Sequence, residues 1–278
     1  MSVINNFCIT HKNYKFLNSL EINVIVGGST NREIENFPNN WIRDNVGDNI
    51  SQKNKSFGTL TSHYWVWKNK LKYFDENEWI GFSHYRRHWI KKNNQKEISL
   101  LNLGSNLLKR VPEDSNYDVI LPEKIYLKNL KISKLIKKGF RNIIKNPSIL
   151  FNRGYYSVGL HFDLFHGYGI IDKAADLLNH EDKNDFKQYF KEKSSFHQFE
   201  MFISKKKNII HLYEKTFNWI FECEKLFSKI KLEGYGKERL FNFLAERFFS
   251  FYFEKYTKIK TWPYVFLDNN LLKNDSNK

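Results

Sequence analysis

The chain reads as an α/β protein: a mainly parallel sheet flanked by helices, followed by a helical C-terminal region. Three observations predict this. Short, apolar, β-rich runs alternate with helical periodicity in the N-terminal half. In the C-terminal third, apolar residues step by three and four. The 278 residues are 41% hydrophobic and 17% aromatic, ample for a sizeable core and incompatible with disorder or a fibrous repeat.

Taken in order, Asn6–Thr10, Ile22–Val26, Trp79–Ser83 and Tyr117–Leu121 are the strand candidates. Between the second and third, Phe57, Leu60, Tyr64, Trp67, Leu71 and Phe74 recur at helical spacing, which predicts one helix with a single apolar face. Strands alternating with helices imply parallel pairing, because parallel strands need a crossover connection. Further on, Leu212, Thr216, Trp219, Cys223, Leu226 and Ile230 predict a long helix. Gly234 and Gly236 end it, and Lys237–Tyr256 reads as a second helix crowded with phenylalanine. No internal repeat or low-complexity linker appears, so one domain over 1–265 with a shared core is expected. It subdivides at 1–122, 123–160 and 161–265, ahead of a polar tail, 266–278, that frays from Asn269.

The charge is uneven. Lys and Arg number 45 against 30 Asp and Glu, a net of +15. No acidic residue lies between Glu123 and Asp163, a gap holding Lys124, Lys128, Lys131, Lys134, Lys137, Lys138, Arg141, Lys145 and Arg153. Ile132, Leu135, Ile136, Phe140, Ile143 and Ile144 alternate with these cations at helical spacing, as in a basic amphipathic helix on an anionic membrane; a solvated surface helix would show the same pattern. Gly139 and Pro147 limit its length. Composition alone leaves nucleic acid, an anionic membrane and an anionic small substrate as partners. Two cysteines, Cys8 and Cys223, cannot form a disulfide framework, and residues 1–16 lack a signal-peptide apolar run, so a reducing cytoplasm is expected. No stretch reaches the roughly 20 apolar residues of a bilayer span.

Dinucleotide, P-loop, zincin and serine-hydrolase motifs are missing from the sequence. Three polar clusters stand where α/β sheets place their sites, at strand ends and helix starts. Thr10, His11 and Lys12 follow the first strand. Residues 43–54, with Asp44, Asp48, Asn49 and Lys53, lead into the predicted helix, whose free N–H groups would suit a phosphate; Asp48 or Ser51 could equally cap that helix. His84, Tyr85, Arg86, Arg87 and His88 follow the third strand, and adjacent arginines pair bidentately with phosphate or carboxylate. An exposed basic turn, or arginines paired with structural carboxylates, is the alternative.

Three segments carry a resemblance: Asp44–Asn54, Leu60–Asn69 and Ile80–Arg87. Met201-Phe202-Ile203, Trp219-Ile220-Phe221, Arg239 and Phe243–Arg247 add to it, so it runs from about Phe7 to Val265. The sequence is similar to the bacterial capsular and exopolysaccharide glycosyltransferase family first catalogued as a domain of unknown function. It departs from that pattern at Asn45, where aspartate is usual, at Thr59, where glutamate is usual, and at Glu200, where asparagine is usual.

The resemblance implies a GT-A-like (Rossmann-like) fold. It also implies transfer of a sugar from a nucleotide-sugar donor, UDP-linked and in some members galactofuranose, to a lipid-linked or oligosaccharide acceptor in capsule, O-antigen or exopolysaccharide synthesis. On that view 1–122 holds the donor through Thr10, His11, Lys12, Asp44, Asp48, Asn49, Lys53, His84, Arg86 and Arg87. Residues 124–153 meet an anionic membrane, and 161–265 face the acceptor with His161 and His197. The enzyme would be peripheral on the cytoplasmic face of the inner membrane, and nucleic acid is not expected as a partner.

GT-A enzymes normally place a metal-binding D-x-D where this chain has His84-Tyr85-Arg86-Arg87. Positive side chains could neutralise the leaving diphosphate, so no cofactor is expected to be required; a divalent metal such as Mn or Mg is the alternative. Inverting transfer needs a general base, for which Glu200 and Asp163 are candidates, each also readable as a structural carboxylate. Glu246 and Arg247 read as a buried ion pair. The readings competing with transfer are a basic nucleic-acid-binding module and a non-catalytic scaffold.

Overall fold

The structure, a computed structural model, describes residues 2–32, 36–91, 98–113, 116–129, 140, 143, 144, 147, 148, 156–229, 238–268 and 272. The chain forms two compact units. One falls within Met1–Glu123, Glu200–Tyr213 and Tyr256–Lys278, the other within Lys124–Phe199 and Glu214–Lys255. Among the described residues no helix is long and apolar enough to cross a membrane.

The first unit is built on a nine-stranded sheet. Strands β1 (Ile4–Thr10), β2 (Asn23–Val26), β3 (Ile42–Arg43) and β4 (Trp79–His84) run parallel in the order β3-β2-β1-β4. β4 is buried along its whole length, as a parallel strand covered on both faces must be, which is why such strands read as continuous apolar runs. A two-residue turn joins β4 to β5 (Arg87–Trp89). Beyond β4 the order continues to three short strands supplied by distant parts of the chain. In sequence these are β6 (Val119–Leu121), β9 (Ile203–Lys205) and β10 (Ile259–Thr261); β9 is antiparallel to both β4 and β6, and β10 is parallel to β6. β11 (Tyr264–Phe266) pairs with β5. The C-terminal third is therefore not wholly helical: it returns three strands to the sheet. The tail is not wholly polar either, since Leu267 and Leu272 are buried in the apolar cluster around Cys8, Val24 and Val26.

The predicted helix over Phe57–Phe74 is broken into α1 (Asn54–Phe57), α2 (Leu60–Asn69) and a 3₁₀ turn at Leu71–Tyr73. Gly58 breaks it, with φ of 53° and ψ of −129°, a conformation open only to glycine. Restarting the helix resets its phase. α2 buries Leu60, Thr61, Ser62, His63, Trp65 and Val66, leaving Tyr64 and Trp67 half-buried. His63 lies 4.3 Å from the Phe82 ring, which stacks on Phe7 at 5.9 Å. α2 thus covers one face of the sheet, and the Cys8 cluster covers the other.

The second unit contains the antiparallel pair β7 (Lys124–Tyr126) and β8 (Ser195–His197). Its helices are α4 (Val158–His166), α5 (Ile170–Ala175) and α6 (His180–Glu192), with most of α7 (Lys206–Phe227) and of α8 (Leu240–Tyr256); the short α3 (Leu103–Asn106) belongs to the first unit. Ser157 caps α4 by accepting from the Leu160 N–H at 3.1 Å, and Asn179 caps α6 likewise from Asp182. Aromatic contacts among Phe186, Trp219, Phe248 and Phe251 form its core. The basic segment starts as β7 and a 3₁₀ turn at Leu127–Asn129. Lys131, Lys134, Lys137, Lys138, Arg141, Lys145 and Arg153, with Gly139, Gly234 and Gly236, lie outside the described residues.

Candidate functional site

The register of the four parallel strands puts their carboxyl ends on one edge: Thr10 lies opposite Val26, Val26 opposite Arg43, and Ile9 opposite His84. β1 has β2 on one side and β4 on the other, which makes this edge the topological switch point where open α/β sheets bind ligands. The loops after all four strands meet there.

Asp44 organises them. Its carboxylate is fully buried and accepts four hydrogen bonds, from the N–H groups of Gly28 (2.7 Å) and Ser29 (2.8 Å) and from the hydroxyls of Ser51 (2.6 Å) and Thr61 (2.7 Å). Gly28 has φ of 69°, and a Cβ there would sit 2.4 Å from the Asn54 side chain. Asn54 itself donates to the Gly58 carbonyl and the Thr61 hydroxyl. From α2, Trp65 donates to the Val46 carbonyl at 2.6 Å, and Asn69 bonds both the N–H and the carbonyl of Asp48. Asp48 accepts from Tyr64, and the Asn49 side chain folds its own loop by bridging Gly47 and Ser51. Neither Asp48 nor Ser51 caps a helix, since α1 and α2 have no side-chain cap. The segments 44–54 and 60–69 are two halves of one locked loop, with Asp44 spent on holding it. Lys53 leans over the Phe57 ring at 5.6 Å.

After β1, the Thr10 hydroxyl donates to the Lys12 carbonyl and accepts from its N–H, turning the chain; Lys12 is exposed. His11 meets Tyr85 edge-on at 4.9 Å, and Tyr14 stacks on Tyr85 at 5.1 Å, which ties this loop to the β4–β5 turn. Arg86 sits in that turn, half-buried. Its Nε donates to the Leu267 carbonyl, and its guanidinium lies 4.6 Å from the Phe266 ring, with Arg87 at 4.9 Å from the same ring. Arg43 is committed to the carbonyls of Phe37, Pro38 and Trp41. His88 lies buried behind the turn, its imidazole pushed down to about 4 by burial.

Glu200 enters from the far end of the sequence. β9 runs antiparallel beside β4, with the Phe82 N–H donating to the Phe202 carbonyl, so the chain just before β9 carries Glu200 to the carboxyl end of β4. Glu200 is 5% exposed and accepts from the Thr59 hydroxyl at the start of α2. Phe199 and Glu200 both hold positive φ, 79° and 53°, a conformation that costs an ordinary residue about 1 kcal/mol or more and clusters at functional sites. Beneath Glu200, His63 Nδ1 and the Tyr213 hydroxyl lie 2.7 Å apart. Burial, with His84 nearby, holds the His63 imidazole well below its usual range. Burial, reinforced by the Glu200 charge, holds the Tyr213 phenol well above its own.

Thr59, His63 and Tyr213 escaped the sequence reading as site residues. Thr59 and Glu200 are hydrogen bonded across 141 residues of chain, a pairing that neither residue's local sequence announces.

Asp163, His161 and His197 belong to the second unit. His161 Nδ1 is 3.1 Å from Arg247 Nη2; arginine only donates, so this nitrogen accepts and the ring proton sits on Nε2. Arg247 also pairs with Glu246 and lies 4.3 Å over Phe196, making the expected buried ion pair. The backbone of His197 donates to Ser250. Asp163 accepts from the Gly169 N–H, yet burial raises its carboxyl to about 6. Above about pH 4 the unfolded chain gives up this proton while the fold retains it, so stability falls as pH rises towards 6 and the full penalty remains beyond. Asp163→Asn, which keeps an acceptor for Gly169, is expected to raise the melting temperature at pH 7.5 and to gain little at pH 4.5. A pH series of melting curves for both proteins checks this.

Among the described residues no group of three or more His, Cys, Asp or Glu is placed to hold a metal ion. The architecture is an α/β fold with a mainly parallel central sheet whose loops gather at one edge. A chain of WbbM, described as a bifunctional glycosyltransferase and solved in its apo form, superposes with a TM-score of 0.68 at 20% identity, covering 96% of this chain and 46% of that one. The chain thus spans about half the length of that relative. No curated protein matches it. Residues 6–258 match the family described as "Domain of unknown function (DUF4422)", and the chain belongs to that family.

Proposed function

We propose that the chain is an inverting glycosyltransferase that moves a sugar from a nucleoside-diphosphate donor to a glycan or lipid-linked acceptor during surface-polysaccharide assembly. The observation that carries this reading is the convergence of the family's motif segments, together with Glu200, on one sheet edge. The fold shared with a domain of a bifunctional glycosyltransferase supports it. The donor is UDP-linked, with galactofuranose the first sugar to try.

In this mechanism the acceptor hydroxyl attacks the anomeric carbon and forms the new C–O bond. Glu200 takes the hydroxyl proton, and the diphosphate leaves from the opposite face with the electron pair of the broken bond. Arg86, Arg87, Lys12 and Lys53 supply positive charge for the diphosphate, the work a divalent metal does elsewhere. Asp44 and Thr10 do not touch the donor; they shape the loops that do.

UDP release from a panel of UDP-sugars, with a glycan acceptor, tests the proposal. Glu200→Gln is expected to lower kcat by about 100-fold or more while the protein still melts cooperatively. Activity is expected to survive EDTA. Release from no member of the panel, or full turnover by Glu200→Gln, would overturn the reading, and activity lost to EDTA and restored by manganese would overturn its metal-free form.

A further inference from the structure

We infer that Thr59 is a positioning residue for Glu200, its hydroxyl holding the carboxylate ionised and aimed at the carboxyl end of β4; this rests on Glu200 being the base proposed above. Thr59 sits at the N-cap position of α2, directly after the glycine that breaks the helix. The hydroxyl donates to Glu200, whose own backbone adopts a positive φ of 53°. A nearly buried carboxylate on a strained turn needs a donor to stay charged and to keep one rotamer.

Two of the titratable groups on this side of the sheet are held neutral. His63, from α2, is neutral through burial, and Tyr213, from α7, is neutral and bonded to His63. His84, at the end of β4, lies near enough to His63 to affect its titration. A hydroxyl is a suitable partner for a base: it stabilises the anion modestly, whereas a lysine or arginine in its place would hold the proton acceptor too weakly basic to work.

The test uses three variants of the full chain, Thr59→Val, Thr59→Ser and Glu200→Gln, with UDP release from the most active donor of the panel measured from pH 5 to 9. Thr59→Val keeps the shape and loses the donor. Its acid limb in kcat/KM is expected to move up by roughly one pH unit, because a lost donor disfavours the charged carboxylate, and its plateau to fall about tenfold, because the carboxylate is no longer held in one orientation. Thr59→Ser is expected to restore both to within about twofold. A Thr59→Val enzyme with an unmoved acid limb, whatever its rate, overturns the positioning role. If Glu200→Gln retains full turnover, or the wild type releases UDP from no donor, the underlying assignment of the base falls first and this inference falls with it. A loss of fold in Thr59→Val would show in its melting curve, and Thr59→Ala, lacking the buried methyl groups' crowding, then carries the same pH comparison.

Discussion

Asp44→Ala is expected to lower stability by about 4 kcal/mol and the melting temperature by about 10 °C, more than any other single change at the sheet edge. The carboxylate accepts from two backbone N–H groups and two hydroxyls in a buried space, so its removal strands the Gly28 and Ser29 N–H groups and the Ser51 hydroxyl, while the Thr61 hydroxyl can still turn to the Gly58 carbonyl at 3.2 Å. Each unsatisfied buried donor costs about 1–3 kcal/mol, reduced where a water can enter the vacated volume. Asp44→Asn is the informative partner: its amide oxygen can still accept, while its NH₂ group confronts two donors. It should recover no more than about half the loss. Thermal melts of both variants decide the matter, and a fall of less than about 1 kcal/mol in Asp44→Ala would mean the loop is held by other means.

Arg247→Met is expected to cost about 3–5 kcal/mol, because it leaves the Glu246 carboxylate buried without its cation. Glu246→Gln combined with Arg247→Met should be milder than Arg247→Met alone, since no charge then remains unpaired and methionine can fill the space beside Phe196. Urea unfolding of the three proteins measures this coupling. A double variant as unstable as the single would show that Arg247 acts through His161 and Phe196 and not through the pair.

Much of the fold was readable in the chain. β1, β2, β4 and β6 are largely buried, and each carries a cluster of β-branched, aromatic or other apolar residues that announces it. β3 has two residues and β9 three, too short for any periodicity, and both are recognisable only by what they pair with. Gly58 was hidden because the apolar stripe continues at helical spacing across it, although the helix does not. The site was legible in its location and less so in its division of labour. Asp44 looked like a ligand-binding acid because polar residues crowd around it in sequence. Those same residues satisfy it, which depends on loop closure in three dimensions. The Thr59–Glu200 contact could not be read from either residue alone, since a threonine before a helix and a glutamate before a strand are each unremarkable.

The position of β9 also sets an order on assembly. β3-β2-β1-β4 can pair once residue 84 has been synthesised, but the slot between β4 and β6 stays open until residues 203–205 arrive. Throughout synthesis of the intervening segment, β4 presents an unpaired strand edge, the feature most prone to pairing with the wrong chain. The strand that shuts this slot is also the one that delivers Glu200, so a nascent protein with an open sheet also lacks the Thr59–Glu200 contact, and the two defects are repaired in the same step.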